Sequence, residues 1–280
     1  NYKDALILNN GGRIIKNYPF VPGIDFSGTV EESEDNKFKK GDRIILTGFR
    51  VGEIYYGGFA GYAKVNSSFL VKAPKELTNQ QTMMMGTAGF TALLCSFTIK
   101  AREELLMGEK VKDVLVTGAT GGVGSIAVMI LAKMGCNVTA ATTKPNETYL
   151  KSLGAKNVIK SSDLDKDARP LDKGLYDGAV DTVGGNILSN ILSHIKPNGI
   201  VASCGNASSI KLNTTVMPFI IRGVKLWGID SVSISIKRRE FLWGEIAKLV
   251  NFDLLDKSIK EINLEQLLEE YSKMLEGKTS

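Results

Sequence analysis

Residues 118–124 read Gly118-Ala119-Thr120-Gly121-Gly122-Val123-Gly124, a spacing suited to holding linked phosphates with backbone N–H groups. A helix opening in such a run offers N–H groups without intrahelical partners and the positive end of its dipole, so main chain alone can hold a pyrophosphate. The register Ala119-x-Gly121-x-x-Gly124 departs from GxGxxG at its first position, and the bare string equally suits a tight turn with no ligand. Its context decides between them. The apolar run Val114-Leu115-Val116-Thr117 predicts a buried parallel strand before it. After it, Ile126, Ala127, Met129, Ile130, Leu131 and Met134 recur at helical spacing until Gly135, and 137–142 reads as the next strand. In this βαβ unit Gly121 admits the phosphates to the backbone and Gly124 lets helix and strand pack closely. Thr120, Gly121, Gly122, Val123 and Gly124 are therefore the expected pyrophosphate contacts.

The end of the second strand bears on which dinucleotide. An NAD site carries Asp or Glu about 20 residues after the fingerprint, to accept from the ribose 2′-OH. Here that position holds Thr142-Thr143-Lys144, with no carboxylate before Glu147. Two hydroxyls and an ammonium suit a 2′-phosphate that an acid would repel, so NADP(H) is expected. The alternative is a polar strand end with Lys144 in solvent.

The elements that must position these residues follow from the rest of the chain. Its 280 residues, 43% hydrophobic, suffice for one large or two ordinary domains. A net charge of +5 from 35 basic and 30 acidic residues, with no basic block interleaved with aromatics, argues against nucleic acid as a partner. No apolar run reaches the about 20 residues of a membrane span, and no secretory leader is visible. Cys95, Cys136 and Cys204 are far apart in sequence, each among apolar neighbours. They read as small buried hydrophobes of a reducing compartment, so a soluble cytoplasmic protein is expected. The chain begins at Asn1 inside what reads as a motif, which suggests a fragment.

Up to about residue 73 the pattern is short strands and glycine turns, with strand candidates at 28–32, 42–47, 59–65 and 69–73. This predicts a small all-β module. Residues 79–106 read as helical, with Met83-Met84-Met85 in the core. Strands are expected again at 157–160, 176–182, 199–205 and 224–229, with helices at 146–153, 185–194, 218–222, 237–252 and 264–275. Six strands mostly separated by helices make an α/β, doubly wound parallel sheet.

Five further motifs narrow the reading: Asn1-Tyr2-Lys3-Asp4-Ala5, Pro22-Gly23-Ile24-Asp25-Phe26-Ser27-Gly28, Gly86-Thr87-Ala88-Gly89-Phe90-Thr91-Ala92, Asp181-Thr182-Val183-Gly184-Gly185 and Thr214-Thr215-Val216-Met217-Pro218-Phe219. With the glycine run they resemble the medium-chain dehydrogenase/reductase superfamily over essentially the whole chain. The branch resembled is the zinc-free YhdH/YhfP putative quinone oxidoreductases, whose better-defined members are NADPH-dependent acrylyl-CoA reductases. The resemblance implies a GroES-like β-barrel catalytic domain at 1–95 and 254–280, incomplete at both ends, and a Rossmann NADP-binding domain at 96–253. It also implies a homodimer through the nucleotide domain.

Zinc-dependent relatives carry Gly-His-Glu where this chain has Gly23-Ile24-Asp25, and a four-cysteine lobe absent here. The lone His194 lies far away in sequence, so no conventional zinc ligand set is available and no metal is expected. Without a Lewis acid, an unactivated alcohol has nothing to hold its alkoxide, whereas an electrophilic C=C accepts hydride unaided. The resemblance then implies reduction of an α,β-unsaturated thioester, acrylyl-CoA, to the saturated product. NADPH:quinone oxidoreduction is the alternative, and non-catalytic NADPH binding a second one. It implies Tyr2 as the residue near the nicotinamide, with Asn1 and Asp4 orienting groups beside it. Equally, Tyr2 suits a half-buried aromatic that only shapes the pocket, and Asp4 a helix cap. Thr87, Gly205, Asn206, Ile229 and Ser231 are implied contacts at the nicotinamide end, whereas Arg222 and Lys225 suit CoA phosphates but read rather as solvated charges.

Overall fold

The strand β2 (Arg43–Thr47) is buried from Ile44 onward because it is the centre of a three-stranded antiparallel sheet. The computed structural model describes residues 2–10, 14–144, 146–256 and 258–276. In chain order, α1 (Tyr2–Asn10) precedes β1 (Asp25–Thr29), β2 and β3 (Val71–Lys72). The sheet runs β1-β2-β3, with Phe26 opposite Leu46 and Ile45 opposite Val71. Val30, Phe38, Ile44, Leu46, Val51 and Leu70 form the core beneath it. The expected strand at 59–65 is not formed. Instead Gly57, Gly58 and Phe59 donate their N–H groups to the carbonyls of Val21, Gly23 and Pro22, and the chain beyond runs exposed.

Helix α2 (Asn79–Leu105) is 27 residues long but is two helices joined at Gly86, whose φ of 47° and ψ of −153° are not helical. The second half starts afresh because the Asp25 carboxylate accepts the Thr87 N–H at 2.7 Å, an N-cap supplied from β1. A Cβ at Gly86 would lie 2.8 Å from Asp25 Oδ2, so only glycine fits. Against the sequence expectation, this helix is long and apolar enough to cross a membrane, but 67% of its most apolar stretch is buried within the protein. That burial is what a core helix of a large domain requires, and the composition alone is weak support for a span.

Next come β4 (Asp113–Val116), α3 (Gly122–Lys133), β5 (Asn137–Thr142), α4 (Glu147–Ser152), β6 (Ala155–Lys160) and β7 (Tyr176–Asp181). They are followed by α5 (Gly185–Ser193), β8 (Ile195–Ser203), α6 (Met217–Arg222) and β9 (Lys225–Gly228). All pairings in this six-stranded sheet are parallel, in the order β6-β5-β4-β7-β8-β9. The order reverses beside β4, a switch point whose strand ends leave a crevice for ligands. Val114, Leu115 and Val116 are fully buried, as a continuous apolar run in a sheet covered on both faces should be. The chain closes with α7 (Ile236–Leu249), α8 (Phe252–Asp256) and α9 (Leu267–Leu275), and α9 packs on α1.

The chain folds as two compact units. The first comprises Asn1–Phe90, Ser231–Lys248 and Phe252–Ser280; the second comprises Thr91–Asp230 and Leu249–Asn251. This differs from the sequence division over residues 91–95 and 252–253, and most of all over residues 231–248. They belong to the first unit because α7 buries Arg239 and Trp243 there: Trp243 packs 6.1 Å from the Phe90 ring, and Arg239 Nη1 donates to Thr47 Oγ1 at 2.9 Å.

Candidate functional site

In the second unit the glycine turn lies where β4 meets α3. No side chain caps the start of α3, no acidic residue occupies its first turn, and Gly121 and Gly122 are exposed. Gly124 is buried, and a Cβ there would lie 2.2 Å from the Gly118 carbonyl oxygen, so the turn closes only around a hydrogen. An uncapped, solvent-facing helix start free of carboxylates fits a pyrophosphate. Thr120 stands beside it, its hydroxyl 3.3 Å from that of Thr142.

The neighbouring strand end divides the three residues expected to meet a 2′-phosphate. Thr142 is buried, and its hydroxyl accepts the Lys144 N–H at 3.0 Å while also facing Thr120. It thus shapes the turn. Thr143 is exposed and Lys144 half-buried.

Gly205, Asn206 and Ile229 line one open hollow of about 560 Å³ at the carboxyl ends of β8 and β9, with Ser203, Cys204, Gly228 and Asp230. The sequence reading missed Cys204 as a lining residue. It is only half-buried, unlike Cys95 and Cys136. Cys204 Sγ lies 3.5 Å from the Asp181 carbonyl. Its contact with the Cys95 thiol, together with burial, pushes the latter's pKa well up. The fold thus brings together Cys95 of α2 and Cys204 just past β8, two cysteines remote in sequence. Asp181, fully buried, accepts the Thr117 hydroxyl at 2.8 Å and the Gly184 N–H at 3.0 Å, and burial raises its pKa. It fastens the β7–α5 turn next to the hollow.

In the first unit, Tyr2 opens α1 with its side chain half exposed. Asn1 lies outside the described residues. Asp4 is buried and accepts the Ile24 N–H at 2.9 Å, and burial raises its pKa. It therefore anchors the 23–25 segment to α1. Thr87 gives both its N–H and its hydroxyl hydrogen to the Asp25 carboxylate. Ser231 belongs to this unit, and its carbonyl accepts from Arg239 Nη2 at 2.6 Å.

The donor set at this position does not fit zinc. Ile24 is an apolar, buried side chain, and the Asp25 carboxylate is engaged by Thr87. Among the described residues no group of three His, Cys, Asp or Glu side chains is placed to hold a metal ion. His194 caps the end of α5, its Nδ1 2.9 Å from the Asn190 carbonyl. Arg222, read as a solvated charge, instead donates to the carbonyls of Ser193 at 2.8 Å and Ile195 at 3.0 Å. It ties α6 to the sheet.

Residues 122–249 match the family described as zinc-binding dehydrogenase, and residues 1–75 the alcohol dehydrogenase GroES-like domain. The chain is 43% identical over 267 residues to the probable acrylyl-CoA reductase AcuI of Escherichia coli (strain K12), covering 95% of this chain and 81% of that protein. It is 42% identical over 269 residues to the putative quinone oxidoreductase YhfP of Bacillus subtilis (strain 168), with the same coverage of 95% and 81%. Its fold is similar to the yhdH oxidoreductase of Salmonella enterica, crystallised in complex with NADP: TM-score 0.95, 40% identity, covering all of this chain and 86% of that one.

Proposed function

This chain belongs to the medium-chain dehydrogenase/reductase superfamily, in the branch that holds the AcuI and YhfP proteins, and we propose that it is an NADPH-dependent reductase of α,β-unsaturated thioesters, with acrylyl-CoA as substrate. The observation that carries this reading is the likeness, over 95% of this chain and 81% of their own length, to relatives named for that activity. The uncapped glycine turn of α3 and a strand end that carries Lys144 where NAD enzymes carry an acid support NADPH as the coenzyme.

The chemistry that bound NADPH supplies is a hydride for the β-carbon of the conjugated thioester. The remaining work belongs to the protein. Backbone N–H groups of 121–124 hold the pyrophosphate, and Thr143 and Lys144 receive the 2′-phosphate. Gly205, Asn206 and Ile229 meet the nicotinamide end in the hollow they line. Thr87, with its hydroxyl hydrogen given to Asp25, keeps only acceptor capacity for a ligand. Charge that develops on the thioester oxygen needs aimed donors, and the α-carbon needs a proton. We assign that proton to Tyr2, with water or another acid as the alternative; Asn1 is its proposed neighbour. Tyr2→Phe is expected to lower kcat with NADPH affinity kept, and an unchanged kcat reduces Tyr2 to a wall of the pocket.

The deciding experiment is an anaerobic assay of acrylyl-CoA, a quinone and a primary alcohol, each with NADPH and NADH. Saturated thioester formed with NADPH preference supports the reading. Turnover of the quinone alone moves it to NADPH:quinone oxidoreduction, which the likeness to YhfP favours as second choice. Coenzyme binding without turnover of any substrate leaves a binding protein. We also propose a cytoplasmic homodimer. Its three free thiols support the compartment, and β9, last in the sheet, with Trp227, Ile220 and Ile221 exposed, supports the pairing face. Sedimentation of Trp227→Lys should then show monomer where the parent shows dimer.

A further inference from the structure

The second half of α2 lies so close on β7 that only glycine fits beneath it: a Cβ at Gly178 would stand 2.7 Å from Ile99 Cγ2. One turn earlier on the same face of α2 is Cys95, fully buried. The close approach carries its thiol onto that of Cys204, the residue after β8. Both cysteines belong to the second unit. Cys204 is pinned in turn, since its N–H donates to the Asp181 carbonyl at 2.9 Å and its Sγ lies 3.5 Å from the same oxygen. The next residue has no slack either: a Cβ at Gly205 would lie 2.3 Å from the Thr182 carbonyl oxygen.

The two thiols differ in access. Cys204 is half-buried and lines the open hollow of about 560 Å³ at the carboxyl ends of β8 and β9. Cys95 is sealed behind it, and the Cys204 thiol together with burial pushes its pKa well up, so it stays protonated. Cys136 is buried elsewhere, with its Sγ 3.7 Å from the Val111 carbonyl. An accessible thiol with a protected one against it is the arrangement that stops oxidation at a reversible disulfide. Without the second thiol, the first would pass on to irreversible sulfinic acid.

We infer that Cys95 and Cys204 are a peroxide-reactive dithiol at the wall of the hollow, with Cys204 as the sulfur attacked and Cys95 as the sulfur that resolves it. The Cys204 thiolate takes the distal oxygen of a hydroperoxide. The O–O bond breaks, Cys204 becomes a sulfenic acid, and the remainder leaves as water or an alcohol with the proton that Cys204 gave up. The Cys95 sulfur then attacks the Cys204 sulfur. As the S–S bond forms the S–O bond breaks, and the hydroxyl leaves as water with the Cys95 proton. The two sulfurs are oxidised and the peroxide is reduced. Contact between the thiols makes the second step intramolecular. Its effect on the coenzyme rests on the reading above that Gly205 and Asn206 meet the nicotinamide end. A bond drawing Cys204 toward α2 pulls on the turn that carries them, so the oxidised protein binds NADPH more weakly.

Peptide mapping by mass spectrometry, after hydrogen peroxide and then alkylation in denaturant, tests the inference on the parent protein. Expected are Cys95 and Cys204 joined by a disulfide, Cys136 alkylated, and reversal by dithiothreitol. Calorimetry should give the oxidised form an NADPH Kd about tenfold higher, the worth of one lost hydrogen bond, restored on reduction. Cys95→Ala should bind NADPH as the parent does, and under peroxide give a Cys204 sulfenic acid that dimedone traps and dithiothreitol fails to rescue once over-oxidised. If that variant does not fold, the mapping of the parent still decides. Cys204 found as sulfinic acid, linked only to another molecule, or still alkylated after peroxide overturns the dithiol. A disulfide that leaves NADPH affinity unchanged overturns its hold on the coenzyme. No NADPH binding by the reduced protein is instead a failure of the coenzyme reading, and the mapping then judges the dithiol by itself.

Discussion

On the proposed reading, coenzyme choice turns on Lys144, because the neighbouring Thr142 hydroxyl is committed inward to Thr120 and to the Lys144 N–H. Lys144→Ala is therefore expected to raise the Kd for NADPH about tenfold and leave that for NADH unchanged, measured by calorimetry. Equal weakening of both coenzymes would remove Lys144 from the 2′-phosphate. Charge type at 142–144 was legible from sequence because a missing carboxylate is a property of the string. Which hydroxyl points outward was not, since that depends on how β5 is buried. The same holds for Thr87, whose hydroxyl meets a carboxylate 62 positions away. Cys204 shows the limit most plainly. Its apolar neighbours in sequence suggested burial, but the strand ends at Ser203 and leaves it on the rim of the hollow.

At the scale of elements, the parallel strands were readable because strands buried on both faces show as unbroken apolar runs. Residues 59–65 have a strand's composition, yet Gly57 and Gly58 spend their N–H groups on the 21–23 segment before a ladder can start. The break in α2 was hidden for a similar reason, since its cap comes from Asp25 in another element. Asp25→Ala should cost about 2 kcal/mol in urea unfolding, because it strips the cap from a helix start. Gly124→Ala should cost about 3 kcal/mol and weaken NADPH, since its Cβ would lie 2.2 Å from the Gly118 oxygen. The passage from α2 to β4 is tied by Glu103. Burial alone would raise its pKa, but hydrogen bonds from Lys100 and the Val111 N–H outweigh it and bring the carboxyl down to about 2 from 4.5. A depressed folded pKa means stability present above pH 4.5 and lost as pH falls toward about 2. Glu103→Gln should flatten that part of the stability–pH curve, and a slope identical to the parent's would show that the tie contributes nothing.

The whole molecule poses a problem of chain order, because the first unit is assembled from three separate stretches. Its sheet and core come early in sequence, yet the residue that locks them, Arg239, arrives only after Thr91–Asp230 of the second unit has been laid down. That guanidinium donates to Thr47 Oγ1 at 2.9 Å, to the carbonyls of Ser231 at 2.6 Å and Val232 at 2.9 Å, and through Nε to Ile234 at 3.1 Å. It also lies 5.0 Å from the Phe90 ring. Removing it leaves several buried acceptors unpaired, at about 4 kcal/mol in total, which for a unit of this size lowers its melting point by about 10 °C. All of these contacts are internal to the first unit, whereas the second keeps its own six-stranded core. Calorimetry of Arg239→Ala should therefore split the unfolding curve, with one transition lowered by about 10 °C and the other left near its parent position. If instead a single transition moves as a whole, the two units melt as one cooperative body, and the late-arriving α7 stabilises the entire chain through the first unit's core.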